Sequence, residues 1–290
     1  MEADPLEKLT TDWADYTFNP WIGCTKVSDG CRECYAHRQQ DLRFGRVEWG
    51  DGNPRSRTST SYWEKPKLWD WRAYYYKNRP FVSCGSLCDV FDPEVSSCWR
   101  DDLFRLIEET PHLVWLLLTR RISEVVQFTE RLPNNVALGV SISSQDEYNR
   151  DAPLLREAAL KLHPIFTFGN FEPLLAPVTL DYFTAPKWVI VGCETGPLGR
   201  FMMPDWARNL RDQSAVMGLS FYFKQASELR SGPSDLLDGA HHRNRPNTLN
   251  REWLLGHRDW LDKLLSDTGY RGPAPDCSGI AMPERHHQPN

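Results

Sequence analysis

Short apolar segments recur along this chain roughly every 20 to 35 residues, and amphipathic segments lie between them. The apolar segments cover Pro80–Ser83, Val114–Leu118, Val136–Ile142, Pro164–Phe168, Trp188–Gly192 and Ser220–Phe223, with a further strand expected near Tyr16–Ile22. Segments that are apolar at every position predict strands buried on both faces, as in a parallel sheet covered by helices. The pattern predicts an α/β fold, a partial (β/α) TIM-type barrel of about six parallel strands with its functional side chains on the loops at the strand C-termini.

Amphipathic segments predict the helices that alternate with these strands. They cover Pro93–Thr110, Ile122–Leu132, Tyr148–Leu162 and Asp205–Met217, and a further helix is expected directly after Cys34. We predict that residues 1–230 form the barrel, that residues 231–267 form a polar loop and a C-terminal helix, and that residues 268–290 form a flexible tail. An insertion at 46–79 holds four Trp and four Tyr. We interpret it as a hydrophobic belt that closes the incomplete barrel, in preference to a surface on which bases stack.

The charge balance limits the classes of partner. The 290 residues carry 34 Lys and Arg against 39 Asp and Glu, a net charge of −5, which disfavours a protein that coats duplex nucleic acid. The longest apolar run, Leu113–Leu118, is far shorter than the roughly 20 residues that span a bilayer. The first residues are acidic and include no apolar signal core, so we expect a cytoplasmic protein with no membrane partner. In that reducing compartment, eight cysteines favour metal binding or catalysis over disulfides.

Three cysteines with the spacing Cys-x6-Cys-x2-Cys, Cys24, Cys31 and Cys34, follow the first predicted strand. Three thiolates on one loop can bind three irons of a [4Fe–4S] cluster and leave the fourth iron open to another ligand. The alternative is a structural zinc site, for which His37 would be the fourth ligand. Three further cysteines follow in the next strand and helix: Cys84, Cys88 and Cys98. We interpret these three as core thiols in preference to ligands of a second cluster.

The segment from Asp12 to Ala36, which contains the three cysteines, resembles the opening of the phage-associated three-Cys-motif family, an outlying branch of the radical S-adenosylmethionine (SAM) superfamily. The similarity continues in order through Ser86–Phe91, Trp115–Arg120, Leu138–Ser141, Glu172–Leu175, Val189–Gly196, Pro204–Trp206 and Phe223–Gln225. The spacing departs from the common superfamily pattern Cys-x3-Cys-x2-Cys, because six residues separate the first two cysteines here.

The resemblance implies a [4Fe–4S] cluster on the three cysteines, with SAM bound to its open iron. One electron, from a donor of flavodoxin or ferredoxin type, would cleave SAM to methionine and a 5′-deoxyadenosyl radical that abstracts hydrogen from a small-molecule substrate. The residues expected to contact SAM are Ser86 and Asp89 after the second strand and Ser141, Ser143 and Gln145 after the fourth. Those expected to be catalytic, by contact with SAM or substrate, are Glu172, Glu194 and Lys224. Ordinary structural roles stay open for them: a helix cap, turn polarity, or pairing with a neighbouring Arg.

Several residues depart from the resembled family and indicate a specialised member: Asn170, Phe171, Cys193, Met203 and Ala226. Positive charge on predicted loops, at Arg120, Arg121, Arg200 and His241–Arg243, together with Lys224, favours a small anionic substrate of the nucleotide class. Two alternatives stay open. One is a radical SAM enzyme acting on a nucleic-acid base or on a peptide or natural-product intermediate. The other is a non-catalytic nucleic-acid-binding module stabilised by zinc, a partner class that the net charge disfavours.

Overall fold

The computed structural model of the chain describes residues 13–227 and 234–248. The predicted C-terminal helix at Arg251–Ser266 and the predicted tail at 268–290 lie outside the described residues, as does part of the loop that precedes them. No helix in the described part of the chain is long and apolar enough to cross a membrane.

Seven parallel strands form one curled sheet, a half-barrel, in the order β1-β4-β5-β6-β7-β8-β9. These strands are β1 (Tyr16–Phe18), β4 (Phe81–Cys84), β5 (Val114–Thr119), β6 (Val136–Ser141), β7 (Thr167–Phe171), β8 (Trp188–Gly192) and β9 (Ser220–Gln225). Two short strands, β2 (Trp21–Ile22) and β3 (Ser56–Arg57), pair antiparallel in a separate ribbon. The prediction of a partial TIM-type barrel is confirmed, with seven parallel strands where about six were expected.

Helices connect successive strands on the outer side of the sheet. They are α1 (Tyr35–His37), continued by a π-helical segment at Arg38–Arg43, then α2 (Thr60–Trp63), α3 (Lys65–Tyr76), α4 (Ser97–Glu108), α5 (Ile122–Phe128), α6 (Gln145–Leu162) and α7 (Pro204–Met217). The predicted helix at Ile122–Leu132 ends early, because Thr129 adopts an extended backbone. The predicted strand at Pro164–Phe168 lies three residues too early, since Pro164 has no N–H for the ladder and Gly169 and Asn170 interrupt the apolar run of β7.

Both faces of the sheet are buried, as the continuous apolar segments predicted. A cluster on the inner face includes Trp13, Phe168, Trp188 and Tyr222, and the indole of Trp13 lies 5.9 Å from the rings of both Phe168 and Trp188. A larger cluster packs the outer face against the helices. Gly139 is required by this packing, because a Cβ there would lie 2.3 Å from the Phe168 ring. The inner cluster fills the half-barrel up to the level at which the strands end.

Three of the eight aromatic residues of the 46–79 insertion, Tyr62, Trp63 and Trp69, belong to the outer core. Tyr62 and Trp69 are buried, and they stack on Phe18 and Tyr16 of β1 at 5.1 and 4.5 Å between ring centroids. The insertion therefore packs along β1, the strand at one edge of the sheet. Apolar packing therefore accounts for the buried rings, whereas Tyr75 and Tyr76 of the same insertion are exposed.

Candidate functional site

A cavity of about 370 Å³ lies where the strands of the half-barrel end. Its wall includes residues that directly follow β4, β5, β7 and β8 and one near the end of β9. Nine of the eleven predicted site residues line it: Cys24, Cys31, Cys34, Ser86, Asp89, Ser141, Glu172, Glu194 and Lys224. The fold thus brings to one place side chains that are up to 200 residues apart in sequence.

The loop that carries the three cysteines is short and closely packed. Asp29–Cys31 forms a 3₁₀ turn, and the Cys34 N–H donates to the Cys31 carbonyl at 3.3 Å. Gly30 is necessary at the centre of this turn. A Cβ at that position would lie 2.2 Å from the Ser143 hydroxyl oxygen and 2.5 Å from the Arg120 guanidinium. The turn therefore rests directly on residues that follow two other strands.

All three thiols are free, as are the other four cysteines of the described residues. Among these, Cys84 is buried as expected for a core thiol, whereas the interpretation of Cys98 as a core thiol is wrong, because it is exposed on α4. Burial, together with the nearby Asp89 carboxylate, raises the pKa of Cys24 to about 12, against the opposing effect of Arg121, which lies 3.5 Å from the sulfur. Burial also raises the pKa of Cys34. Both thiols are therefore protonated at neutral pH, and a metal group would have to displace their protons on binding.

The three thiols line one cavity but are not arranged around a single metal ion. Zinc needs four donors at about 2.0–2.3 Å, and the described ranges contain no group of three or more Cys, His, Asp or Glu side chains placed to hold one ion. His37, the expected fourth zinc ligand, does not line the cavity, and its imidazole lies 3.5 Å from Asp41. The three thiols instead line a cavity wider than an ion, and thiolates are the ligands of iron–sulfur clusters.

Asp89 is buried, and its carboxylate holds the neighbouring loops together. It accepts hydrogen bonds from the Thr119 hydroxyl at 2.8 Å, from the Arg120 N–H at 3.0 Å and from the Phe91 N–H at 3.0 Å. Arg121 lies 3.5 Å away. Asp89 therefore has a structural role at the wall of the cavity, whether or not it also contacts a ligand.

Ser86 is positioned by β1. Its hydroxyl donates to the Asn19 side-chain oxygen at 3.1 Å, and the same oxygen accepts from the Leu87 N–H at 2.8 Å. The Tyr35 hydroxyl donates to the Ser86 carbonyl at 2.6 Å. These bonds join the loop after β4 to the strand that precedes the cysteines and to the helix that follows them. Sequence analysis missed Asn19, for which the only signal was a polar residue directly after the first strand.

The two glutamates at the strand ends are each paired with a cation. Lys224 lies 2.5 Å from a Glu172 carboxylate oxygen, which also accepts from the Gln225 amide at 2.9 Å. Glu194 accepts three bonds from Arg200, which also pairs with Asp29 of the cysteine loop at 2.6 Å. Burial opposes ionisation of Glu194, but the Arg200 hydrogen bonds and charge outweigh it and hold the pKa of the carboxyl below its usual value.

Two predicted SAM contacts are not brought to the cavity. The buried Ser143 hydroxyl accepts from Arg120 at 3.2 Å, behind the wall. Ser144 caps α6, so Gln145 begins the first helical turn, and its amide exchanges two hydrogen bonds with the Thr179 backbone. The sequence placed these residues correctly after β6, but the immediate start of a helix turns them away from the cavity.

A buried arginine that sequence analysis missed supports the cysteine loop from the insertion. Arg55 donates to the Thr25 hydroxyl at 2.7 Å and to the Asp92 carboxylate at 2.9 Å. It also binds the carbonyl groups of Gly50 and Asn53, both at 2.8 Å. Nothing in the local sequence distinguishes Arg55 from the other arginines of a polar segment. Its role depends on contacts 30 and 37 residues away along the chain.

Comparisons with known proteins place the chain in a family but supply no function for it. A search of curated proteins finds no match. A solved structure of a spore photoproduct lyase mutant with bound AdoMet and a dinucleoside spore photoproduct resembles this chain at 10% sequence identity and a TM-score of 0.41. The likeness covers 76% of this chain and 59% of that one, so the chain spans about three fifths of that structure. A family model described as a protein of unknown function, DUF5131, matches residues 8–253. The chain therefore belongs to the DUF5131 family.

Proposed function

We propose that this protein is a radical SAM enzyme that acts on a small anionic substrate of the nucleotide class. The observation that carries the proposal is that Cys24, Cys31 and Cys34 line one cavity together with polar side chains from several strand ends. In a barrel of parallel strands, this edge is where ligands bind. An electron donor of flavodoxin or ferredoxin type is the expected protein partner.

The three cysteines would hold a [4Fe–4S] cluster, and SAM would bind beside it. When bound, this pair supplies one-electron cleavage of SAM and abstraction of a substrate hydrogen. The cysteine loop supplies three thiols, which suits a cluster with an open iron; Cys84, Cys88 and Cys193 also line the cavity, but they lie on or after other strands. The resemblance of the Asp12–Ala36 segment to a radical SAM branch supports the same assignment.

The carboxylates of the cavity suit the ammonium group of an amino-acid moiety such as that of SAM. Glu172 and Glu194 line the wall, and Arg200 favours the ionised form of Glu194. Ser86 and Ser141 add hydroxyl groups to the same wall. These residues would orient the cofactor, while the buried apolar layer beneath them excludes water from the cavity floor.

An anionic substrate group would find cations beside these carboxylates. Arg120, Arg121 and Lys224 all line the cavity, and Lys224 donates to Glu172 at 2.5 Å. A phosphate or carboxylate of the substrate can replace Glu172 as the acceptor for the Lys224 ammonium group. Lys224 would then bind the anion and stay protonated at Nζ. Lys224→Met is expected to weaken binding of a nucleoside monophosphate by about ten-fold, since one charge-assisted hydrogen bond is lost.

The decisive experiment is SAM cleavage by anaerobically reconstituted protein with dithionite as the reductant. We expect 5′-deoxyadenosine from the unaltered protein and none from Cys31→Ala. Cys98→Ala is the matched control, because Cys98 is exposed on α4 and does not line the cavity, and it should give the unaltered yield. Absence of product from protein that contains zinc but neither iron nor sulfide would overturn the proposal and favour the zinc-stabilised binding module.

A further inference from the structure

Two buried polar groups on the cavity wall have no hydrogen-bond partner among the described residues. They are the indole N–H of Trp13 and the side-chain oxygen of Asn170. The two residues are only 2% and 5% exposed. Buried polar groups are almost always satisfied in folded proteins, because an unmade hydrogen bond is costly. Two such groups on one cavity therefore point to a partner that occupies the cavity.

The positions of the two residues place them at the floor of the cavity. Phe168 and Asn170 are two residues apart on β7, so both face the inside of the half-barrel, with Asn170 one step nearer the cavity. Trp13 packs against Phe168 at 5.9 Å. The floor thus presents the Trp13 indole, which packs on Phe168 at an interplanar angle of 47°, beside one carboxamide. The nearest neighbours of Asn170 across the sheet are Ser141 and Ile190.

The chemistry of the two groups identifies the class of ligand. The indole is a hydrogen-bond donor only, whereas a carboxamide offers an acceptor and two donors. Both groups are neutral, so they suit an uncharged ring. The Trp13 N–H, the Asn170 oxygen and an Asn170 N–H offer a donor, an acceptor and a second donor. This set complements the edge of a cyclic imide, in which a ring N–H lies between two carbonyl oxygens. Enzymes that take up single bases use this combination of hydrogen bonds to the base edge and aromatic or apolar contact with its face.

We propose that Trp13 and Asn170 bind the base of the substrate, and that this base is a pyrimidine with an imide edge, such as uracil or thymine. The inference rests on the proposed function, in which this cavity is the substrate site, and it names the part of the substrate that the cavity floor recognises. Trp21 and Trp188 also have unpartnered buried N–H groups, but neither residue lines the cavity, so a ligand in the cavity would not reach them.

The test measures binding of uridine to cluster-free protein by calorimetry, without SAM or reductant. We expect binding of uridine that is about ten-fold weaker for Asn170→Leu and for Trp13→Phe, because each variant leaves a ligand group without its hydrogen bond. We expect 3-methyluridine, which lacks the ring N–H, to bind the unaltered protein equally poorly. Trp21→Phe is the matched control, since it removes an unpartnered indole N–H outside the cavity, and it should bind uridine normally.

Thermal unfolding of the same variants separates ligand recognition from a structural role. Asn170→Leu replaces an unsatisfied buried amide with an apolar group of similar shape, so its melting temperature without ligand should equal or exceed that of the unaltered protein. A lower melting temperature combined with normal uridine binding would show a structural role and overturn the proposal. Equal binding of uridine and 3-methyluridine, or no binding of uridine, would also overturn it. Binding of adenosine with the same dependence on Asn170 would assign the floor to the adenine of SAM instead. Because no cluster is present, failure of SAM cleavage leaves these outcomes unaffected.

Discussion

Glu194 is a buried carboxylate whose charge depends on one arginine. Its side chain is 5% exposed and accepts three hydrogen bonds from Arg200, which ties the loop after β8 to Asp29 of the cysteine loop. The folded protein holds the pKa of Glu194 below its usual value. The ion pair therefore stabilises the fold above the unfolded pKa of glutamate, near 4.3, and this contribution is lost as the pH falls through the lower folded value.

We expect Glu194→Gln to lower the free energy of unfolding at pH 7 by about 2 kcal/mol, as for loss of a charged hydrogen bond. The difference between the two proteins should stay constant from pH 6 to 8 and shrink below about pH 4.5. Urea unfolding of both proteins, from below pH 4.5 up to pH 8, measures this difference in the free energy of unfolding. Glu157→Gln on the exposed face of α6 serves as the control, with an expected change of less than about 0.5 kcal/mol. A pH-independent difference would show that folding leaves the pKa of Glu194 unchanged, and it would contradict stabilisation of the ionised carboxyl by Arg200.

The thiols provide a second prediction at this scale. Burial raises the pKa of Cys24 to about 12, and it also raises those of Cys84 and Cys88. At pH 8 a thiol with a pKa near 12 is ionised only on the order of once in ten thousand molecules, and the thiolate is the reactive form. In cluster-free protein treated with iodoacetamide, we expect exposed Cys98 to be alkylated well before Cys24, as read by peptide mass spectrometry. Equal rates for Cys24 and Cys98 would contradict the buried, protonated state of Cys24.

What the sequence could reveal about single residues depended on how local the relevant contacts are. Cys24, Cys31 and Cys34 were predictable as one group because eleven consecutive residues contain them all. The partner of Glu194 was foreseeable as a nearby arginine, and Arg200 is six residues away. Asn170 stood out only as an unusual residue at its position. That its oxygen lacks a partner is a property of the packed sheet, which no pattern in the sequence reports.

At the scale of structural elements, the cysteine loop is held by its contact with the ends of β5 and β6. Gly30 is the point of contact, because any side chain there would meet Ser143 and Arg120. The sequence predicted a loop between the first strand and the following helix but not what lies against it. Strands with uniform apolar runs were likewise predictable. The predicted position of β7 was three residues too early, because Gly169 and Asn170 interrupt its apolar run.

We expect Gly30→Ala to fold but to reconstitute poorly, since the added methyl group must displace the loop that carries Cys31. Overpacking of this kind costs about 1–3 kcal/mol. The measurement is iron and sulfide per chain after anaerobic reconstitution, with circular dichroism to confirm the fold. Arg32→Ala, between Cys31 and Cys34, is the matched control: Arg32 is exposed and does not line the cavity, so it should take up iron normally. Full iron and sulfide content in Gly30→Ala would show that the loop tolerates the shift.

At the scale of the whole molecule, Arg55 links the insertion to the half-barrel. Its guanidinium pairs with Asp92, which is fully buried, and also reaches Thr25 beside the first cysteine. The insertion was recognisable in the sequence by its aromatic residues, which pack on β1. The buried ion pair was not recognisable, because charged residues in a polar segment usually face solvent. The link predicts that insertion and barrel unfold together.

Arg55→Met tests this coupling. Removing Arg55 leaves the buried Asp92 carboxylate with a more distant counter-ion, Arg121 at 3.9 Å, so we expect a loss of about 3–5 kcal/mol in the free energy of unfolding. Arg131→Met is the matched control, because its pair with Glu108 is exposed and should contribute no more than about 1 kcal/mol. Urea unfolding followed by tryptophan fluorescence and by circular dichroism measures both variants.

The double variant Arg55→Met with Asp92→Asn separates two causes of the stability loss. One is the missing attraction between the two side chains, and the other is the cost of a buried Asp92 charge without Arg55. If the buried Asp92 carboxylate causes most of the loss, neutralising it should restore part of the stability, so that the double variant is more stable than Arg55→Met alone. Fluorescence includes the signal of the four tryptophans in the insertion, whereas circular dichroism reports mainly on the longer helices around the sheet. Coincident transitions in the unaltered protein and separate ones in Arg55→Met would identify this ion pair as the contact that makes them one cooperative unit. Separate transitions already present in the unaltered protein would show that the insertion unfolds independently. The contacts at Gly30 and Arg200, and not Arg55, would then hold the cysteine loop in position.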